Sequence, residues 1–183
     1  GGSELAGKTL GVIGCGRIGE NVARKARAFG MSVLGYDLER RAGFPGTYVE
    51  KGILLQASDY VTIHTGGKDV ILDWDDLIKM RETAVVVNAS RGGNIDPDAL
   101  YEALSRQRIG GALLDVYGSE PQGTTDFRTR FAEFPNVVLT PHLGAATDEA
   151  QFRTGQQVVN GVVNYLRSGD RTNALNTLAD RAA

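Results

Sequence analysis

Short apolar runs alternate with amphipathic segments along most of this chain. Six of the runs predict β-strands, and they cover residues 9–14, 32–36, 60–64, 84–88, 111–115 and 137–140. The apolar residues within a run are continuous, as in Val85-Val86-Val87, and this is typical of strands that are covered on both faces. The alternation of strands and helices predicts an α/β fold with a doubly wound, mostly parallel sheet and helices on both faces.

The ends of three helices can be predicted from residues that favour helix termini. Gly30 can end the helix that follows the first strand. Asp96 and Pro97 predict the N-cap and the first position of another helix. Thr147 begins the longest helix, which Gly169 can end. The apolar face of the first of these helices is predicted to consist of Ile18, Val22, Ala26 and Phe29.

The composition is typical of a globular domain. Hydrophobic residues make up 42% of the 183 residues, charged residues make up 23%, and the formal net charge is −2. This charge gives no electrostatic reason to expect nucleic acid or an anionic membrane as a partner. No apolar run approaches the roughly 20 residues that cross a bilayer, and residues 1–4 do not resemble a signal peptide. The single cysteine, Cys15, excludes an internal disulfide and fits a reducing, cytoplasmic setting.

A glycine-rich turn follows the first predicted strand and opens the first predicted helix. Its sequence is Gly14-Cys15-Gly16-Arg17-Ile18-Gly19. Gly14 allows a sharp turn, Gly16 lets the backbone approach a pyrophosphate, and Gly19 lets the helix pack closely on the strand. Amides at the start of the helix face the anion. Between a strand and a helix, this turn predicts a dinucleotide site in a Rossmann-type fold.

Asp37 follows the second predicted strand, 23 positions after Gly14, close to the spacing of the acid that binds the ribose hydroxyls in dinucleotide-binding folds. Its charge would repel a 2′-phosphate, so we predict NAD rather than NADP as the cofactor. Arg40 and Arg41 could cover a 2′-phosphate if their loop folded back, so NADP stays the alternative. Cys15 lies where a helix N-terminus could lower its pKa and support a redox role, but we interpret it as a small residue that fits the space.

Three further motifs follow in a fixed order. They are Asn88-Ala89-Ser90-Arg91-Gly92, Asp115-Val116-Tyr117-Gly118-Ser119-Glu120-Pro121 and Thr140-Pro141-His142-Leu143-Gly144. Together with the glycine turn, they resemble the cofactor-binding domain of the D-isomer-specific 2-hydroxyacid dehydrogenases. The resemblance covers residues 2–176, and residues 2–11 and 141–147 are most similar to the D-3-phosphoglycerate dehydrogenase branch. We therefore predict a single dinucleotide-binding domain over residues 1–183, with residues 177–183 as a tail.

The resemblance implies three catalytic residues. Arg91 would hold the substrate carboxylate and polarise the reacting carbonyl, His142 would be the general acid–base, and Glu120 would bind the second imidazole nitrogen. Asp115 would lie on the nicotinamide side of the cofactor. No metal site is predicted. The predicted cofactor-binding residues are Gly14, Gly16, Arg17, Ile18, Gly19, Asp37, His64, Thr65, Ala89, Ser90, Arg91, Asp115, His142 and Gly144.

The segment after His64 departs from the family pattern. Members of the family usually continue from this histidine with a proline-leucine loop along the cofactor. This chain is a few residues shorter there and has the sequence Thr65-Gly66-Gly67-Lys68-Asp69. Gly66 and Gly67 would still allow close approach of the backbone. We predict that His64 lines the cofactor cleft, and it is the second candidate for the acid–base role.

The resemblance also implies a reaction and partners. Enzymes of the family have a second, substrate-binding domain, and we expect this chain to lack it and therefore to bind NAD with little turnover. The implied reaction is hydride transfer between NAD and a D-2-hydroxy acid or 2-keto acid, with 3-phosphoglycerate as the first candidate, in a homodimer. The alternative is an NAD-sensing interaction module like the C-terminal-binding-protein corepressors, which retain the same three residues. A formate dehydrogenase relative is less favoured, because that branch has glutamine at the position of Glu120.

Overall fold

The computed structural model describes residues 2–67, 69–118, 129–172 and 174. The chain falls into two compact units, Gly1–His142 and Leu143–Ala183. The first unit contains the whole sheet, and the second contains the longest helix. In the described part of the chain, no helix is long and apolar enough to cross a membrane.

The first unit is built on a seven-stranded parallel sheet with the order β3-β2-β1-β4-β5-β6-β7. β1 pairs with β2 on one side and with β4 on the other, and the chain returns from β3 to form β4, so the strand order reverses beside β1. In such sheets, ligands bind at the carboxyl ends of the strands near this reversal. The predicted doubly wound α/β fold is therefore confirmed. The strands are β1 (Thr9–Ile13), β2 (Ser32–Tyr36), β3 (Thr47–Tyr48), β4 (Tyr60–Ile63), β5 (Val85–Asn88), β6 (Gly111–Leu114) and β7 (Val137–Leu139).

The helix caps predicted at Asp96, Thr147 and Gly169 are confirmed. Asp96 accepts hydrogen bonds from the amides of Asp98 and Ala99, and Thr147 accepts one from the amide of Ala150. Gly169 ends the longest helix in the left-handed conformation, with φ of 69°. The helices are α1 (Arg17–Ala28), α2 (Lys51–Ala57), α3 (Trp74–Leu77), α4 (Pro97–Ser105) and α5 (Asp148–Ser168).

Two apolar clusters cover opposite faces of the sheet. Leu10 and Val12 of β1 enter a smaller cluster with Ala23 and Ala26 of α1. Ile13 of the same strand enters the larger cluster, which also contains apolar residues of α2, α3 and α4. Because successive strand residues point to opposite faces, one strand contributes to both clusters. Helices therefore cover both faces of the sheet.

The predicted apolar face of α1 is wrong at two positions. Ile18 and Phe29 are 67% and 64% exposed, whereas Gly19, Ala23 and Ala26 are buried. A Cβ at position 19 would overlap the carbonyl oxygen of Gly14. The helix therefore approaches the strand so closely that small residues face inward and the larger ones face outward.

The edge of the sheet differs from the prediction in two respects. Thr47–Tyr48 forms a strand that the apolar pattern did not predict, because two residues are too few to show a period. Leu113 of β6 and Val138 of β7 pair in register and are 40% and 56% exposed. The expectation that every strand is covered on both faces is therefore wrong for β6 and β7.

Candidate active site

The glycine turn joins β1 to α1 between the carboxyl ends of β2 and β4. Gly14 has φ of 89°, and its amide donates to the carbonyl of Tyr36 at 2.9 Å. A Cβ at Gly14 would lie 2.7 Å from the carbonyl carbon of His64. Only glycine combines this conformation with this close approach. The turn is thus sharp, as its sequence predicted, and is held against both neighbouring strands.

The start of α1 is open to a ligand. Gly16 is the N-cap and makes no side-chain capping bond, and a Cβ placed there would meet open space. The side chains of Arg17 and Ile18 are exposed at the first helical positions. The first amides of a helix lack partners within it and carry the positive end of its dipole. This arrangement fits a diphosphate that approaches the backbone at Gly16.

Asp37 lies directly after β2 and contacts the glycine turn. Its carboxylate accepts hydrogen bonds from the amide of Cys15 at 2.6 Å and from the amide of Glu39 at 3.2 Å. The structure therefore brings Asp37 to the turn, as the spacing predicted.

Cys15 is fully buried beside Asp37, and its thiol lies 3.7 Å from the carbonyl oxygens of Val12 and Tyr36. Burial, and secondarily the charge of Asp37, raise the pKa of the thiol to about 11. The thiol therefore stays protonated at neutral pH, and the idea that the helix terminus lowers its pKa is wrong. The interpretation of Cys15 as a packing residue is consistent with this environment.

His64 and Thr65 follow β4, next to the glycine turn. The amide of His64 donates to the carbonyl of Ile13 at 2.7 Å, and the imidazole Nε2 lies 3.0 Å from the hydroxyl of Thr62. Burial lowers the pKa of His64, which favours the neutral ring. The hydroxyl of Thr65 is buried and has no hydrogen-bond partner among the described residues. A buried hydroxyl at the edge of this cleft is a group that a ligand can satisfy.

The loop after β5 is shaped by a buried network of polar side chains. Asn88 accepts a hydrogen bond from the amide of Ser90 at 3.1 Å and donates to the carbonyl of Arg91 at 2.9 Å. The hydroxyl of Ser90 lies 2.8 Å from the side-chain oxygen of Asn88 and 2.9 Å from that of Asn94. The guanidinium of Arg91 is exposed and donates to the carbonyl of Ser90 at 2.7 Å. Ala89, also predicted to bind the cofactor, is exposed on this loop.

The chain reaches the same edge of the sheet after β6 and β7. The hydroxyl of Thr140 donates to the carboxylate of Asp115 at 2.5 Å. The hydroxyl of Tyr117 lies 3.1 Å from the carbonyl oxygen of Leu114 and 2.9 Å from that of Thr140. These bonds join the two strand ends directly before His142, which has a left-handed backbone with φ of 56°. Tyr117 and Thr140 were not predicted as site residues, since no local pattern shows that they cross-link two strands.

Arg91 and His142 line one open cavity of about 260 Å³. Part of the cavity wall is formed by the segment after β6. Glu120 lies outside the described residues, and Gly144 belongs to the second unit. The residues that line the cavity are Ser90, Arg91, Gly92, Val116, Tyr117 and His142.

Residues 1–144 match the family described as D-isomer specific 2-hydroxyacid dehydrogenase, NAD binding domain. The chain belongs to this family. The match begins before β1 and ends just beyond His142, so it contains the glycine turn and the cavity. The predicted family and the predicted cofactor, NAD, are therefore confirmed. The residues of the glycine turn fit this cofactor, since Gly16 leaves open space beside the N-terminus of α1.

Individual relatives place the chain within this family. It is 40% identical over 169 residues to a hydroxypyruvate reductase of Thermotoga maritima, covering 90% of this chain and 55% of the relative. It is 41% identical over 182 residues to a D-3-phosphoglycerate dehydrogenase of Synechocystis, covering 96% of this chain and 32% of the relative. The chain thus spans between about a third and somewhat more than half of these relatives.

A solved structure shows the same fold with cofactor. It is the NAD-complexed form of a D-isomer specific 2-hydroxyacid dehydrogenase from Lactobacillus delbrueckii ssp. bulgaricus. The TM-score is 0.89 at 28% sequence identity, and the match covers 95% of this chain and 58% of that protein.

Proposed function

We propose that this NAD-binding domain serves hydride transfer between NAD and a D-2-hydroxy acid or the matching 2-keto acid, with 3-phosphoglycerate as the first candidate substrate. The observation that carries the proposal is the shared cavity of Arg91 and His142 at the carboxyl edge of the sheet. A fixed positive charge and a proton-carrying imidazole are the two groups that reduction of a 2-keto acid requires. When bound, NADH supplies the hydride and NAD⁺ accepts it.

Arg91 is the proposed ligand of the substrate carboxylate. Its guanidinium presents several donors in one plane and keeps its charge at every physiological pH. One of its nitrogens is already bound to the carbonyl of Ser90 at 2.7 Å, which limits the directions that the remaining donors can take. Arg91 would hold the carboxylate and place a positive charge beside the carbonyl oxygen, where negative charge develops during reduction.

His142 is the proposed general acid–base. It would donate a proton to the substrate oxygen during reduction and accept the hydroxyl proton during oxidation. The bonds that join Asp115, Tyr117 and Thr140 hold the strand end that presents it. Glu120 is proposed, from the family pattern, to bind the second nitrogen of the ring.

The proposed cofactor contacts follow six strands of the sheet, β1, β2, β4, β5, β6 and β7. The first amides of α1 would bind the diphosphate, Asp37 would accept from the ribose hydroxyls, and His64 and Thr65 would line the cleft. Asp115 would lie on the nicotinamide side. The full proposed set remains Gly14, Gly16, Arg17, Ile18, Gly19, Asp37, His64, Thr65, Ala89, Ser90, Arg91, Asp115, His142 and Gly144.

We also propose a homodimer in a reducing, cytoplasmic setting. The second unit supports association, because its helix α5 exposes a row of apolar side chains along its length. Cys15 fits a reducing setting because it is a free, buried thiol. The exposed apolar residues of α5 are Phe152, Val158, Val159, Val162, Tyr165 and Leu166.

Calorimetric titration of the 183-residue chain with NADH tests the binding part of the proposal, and we expect saturable binding. The reaction is tested by a screen of 2-keto acids that includes 3-phosphohydroxypyruvate, hydroxypyruvate, glyoxylate and pyruvate. The screen uses the chain alone and a chimera in which it replaces the matching segment of the Thermotoga maritima relative. We expect turnover by the chimera and little by the chain, since catalysis needs a closed site that excludes water. Absence of turnover with every acid would contradict the proposed reaction.

A further inference from the structure

Asn94 lies at the end of the loop that presents Arg91, and it is completely buried. Its side-chain oxygen is 2.9 Å from the hydroxyl of Ser90. Its side-chain nitrogen donates to the carbonyls of Gly67 at 3.2 Å and Asp69 at 2.9 Å. A primary amide has two N–H donors, and both of them are used here. One side chain therefore joins the Arg91 loop to the segment that follows β4.

The main chain of Asn94 makes the same connection. Its amide donates to the carbonyl of Arg91 at 3.0 Å, and its carbonyl accepts from the amides of Ile71 and Leu72 at 2.8 and 3.0 Å. An isolated parallel bridge pairs Leu72 with Ile95 directly after it. Every polar group of Asn94 is therefore bound, and its partners lie on the two segments that flank the cleft.

The orientation of the Asn94 amide is determined by these partners. Its nitrogen must face the two carbonyls, because a carbonyl oxygen in that place would repel them. The oxygen consequently faces Ser90, whose hydroxyl oxygen lies within hydrogen-bond distance of the side-chain oxygens of both Asn88 and Asn94. A buried, fully bound network of this kind holds one arrangement, since any lost partner leaves a buried polar group unpaired.

We propose that Asn94 is the positioning residue that couples the cofactor-side segment, residues 64–67, to the substrate-side Arg91. Asn94 touches neither ligand and acts through Ser90 and through the main chain of Arg91. It anchors the segment after β4 at Gly67 and Asp69. A ligand that binds residues 64–67 would therefore act, through Asn94, on the loop that carries the arginine. This inference rests on the proposed function, which assigns Arg91 to the substrate and His64 and Thr65 to the cofactor cleft.

The first test uses Asn94→Asp, which keeps the size of the side chain. A protonated carboxyl can donate to one of the two carbonyls and accept from Ser90, whereas a carboxylate repels both carbonyls. We expect the variant to bind NADH nearly as well as the wild type at pH 5.5 and about tenfold more weakly at pH 8, roughly 1.4 kcal/mol. At each pH, the NADH affinity of the variant is divided by that of the wild type. Both proteins contain His64, so the effect of its titration on binding cancels in this ratio.

Asn136→Asp is a control at an exposed site. The side-chain amide of Asn136 donates to the carbonyl of Gly110 at 3.0 Å, so this variant also loses an amide-to-carbonyl bond. Both residues directly precede a strand, at the amino ends of β6 and β7 and away from the candidate site. We expect its NADH affinity to equal that of the wild type at every pH. An affinity ratio for Asn94→Asp that stays near one from pH 5.5 to 8 would overturn the proposal.

A second test needs no cofactor and perturbs the opposite end of the connection. Ser90→Ala removes the hydroxyl that Asn94 binds, and we expect hydrogen exchange at the amides of Ile71 and Leu72 to become several times faster. In an Asn94→Asp background at pH 8, where the carboxylate has broken the connection, the same change should have little further effect. Unchanged exchange in Ser90→Ala would contradict the coupling. A wild-type chain that fails to bind NADH would contradict the proposed function, while this exchange test would still decide the role of Asn94.

Discussion

The amide of Cys15 donates a 2.6 Å hydrogen bond to the carboxylate of Asp37, which joins the glycine turn to the end of β2. The bond leaves further lone pairs of the carboxylate available to a ribose, and it holds a negative charge beside the turn. We predict that the chain prefers NADH to NADPH and that Asp37→Ala reduces the preference about tenfold, roughly 1.4 kcal/mol. Asp37→Asn is the matched variant, since it retains an acceptor for the amide of Cys15 but lacks the charge.

Titration calorimetry of both variants with the two cofactors checks this prediction. If the negative charge of Asp37 causes the preference for NADH over NADPH, Asp37→Asn loses this preference as Asp37→Ala does. If Asp37→Asn keeps the preference, the side-chain oxygen that accepts hydrogen bonds at position 37 causes it, and the charge does not. Equal or tighter binding of NADPH by the wild-type chain would refute the role of Asp37 in selecting the cofactor.

His142 should matter far more for turnover than for cofactor binding. Asparagine tolerates the left-handed backbone that His142 adopts, so His142→Asn removes the imidazole without backbone strain. In the chimera described above, we expect the variant to lose about 10²–10⁴-fold in rate, which is the usual contribution of a general acid–base. The dissociation constant of NADH should change by less than about twofold. A variant that keeps most of its activity would show that another group transfers the proton, with His64 as the next candidate.

Gly92 should tolerate no side chain. A Cβ at this position would overlap the carbonyl of Tyr117, so Gly92→Ala must move either the Arg91 loop or the segment after β6. We predict that the free energy of unfolding falls by about 2 kcal/mol, as for other substitutions that overfill a packed site. Urea denaturation measures this change. Gly52→Ala in α2 is the control, because a Cβ there meets no atom within 4 Å, and the variant should be at least as stable as the wild type.

His64 should make stability depend on pH. Burial holds its folded-state pKa below the ordinary value of 6.5, so the unfolded chain binds more protons between these two values. The contribution of His64 to the free energy of unfolding is therefore fully present above pH 6.5 and is lost as the pH falls through the folded-state pKa. Urea midpoints measured from pH 7.5 to 5 should decrease more steeply for the wild type than for His64→Gln. Parallel curves would show that burial does not depress this pKa.

Self-association through α5 should be sensitive to charge on its apolar row. We predict a dimeric mass for the wild-type chain by light scattering at tens of micromolar. Val159→Asp should shift it towards the monomer, because the change places a charge on the exposed apolar surface. Gln156→Glu adds a charge to an exposed polar position of the same helix and should leave the mass unchanged. A monomeric wild-type chain would refute the dimer.

Several features of this protein follow from the sequence because their causes are local. Gly14 needs a positive φ that its own residue type permits, and Asp96 and Thr147 cap helices through bonds to residues two or three positions away. Six strands were predicted because each contains enough apolar residues to show a pattern. The order of the motifs was also sufficient to identify the family. Each motif follows a strand, and the carboxyl ends of parallel strands lie on the same side of the sheet.

The tertiary structure alone decided features that depend on residues far apart in the chain. The close packing of α1 turned small residues inward, so Ile18 and Phe29 are exposed despite their hydrophobicity. Asn94 is buried because the Arg91 loop and the segment after β4 meet at it across more than twenty positions. The residue type and the spacing of Asn94 do not predict that it is buried. A buried hydrogen bond depends on both of its partners and on the path of the chain that brings them together. The sequence therefore determined the elements and the chemistry at their ends, and the fold decided which of those ends are physically connected.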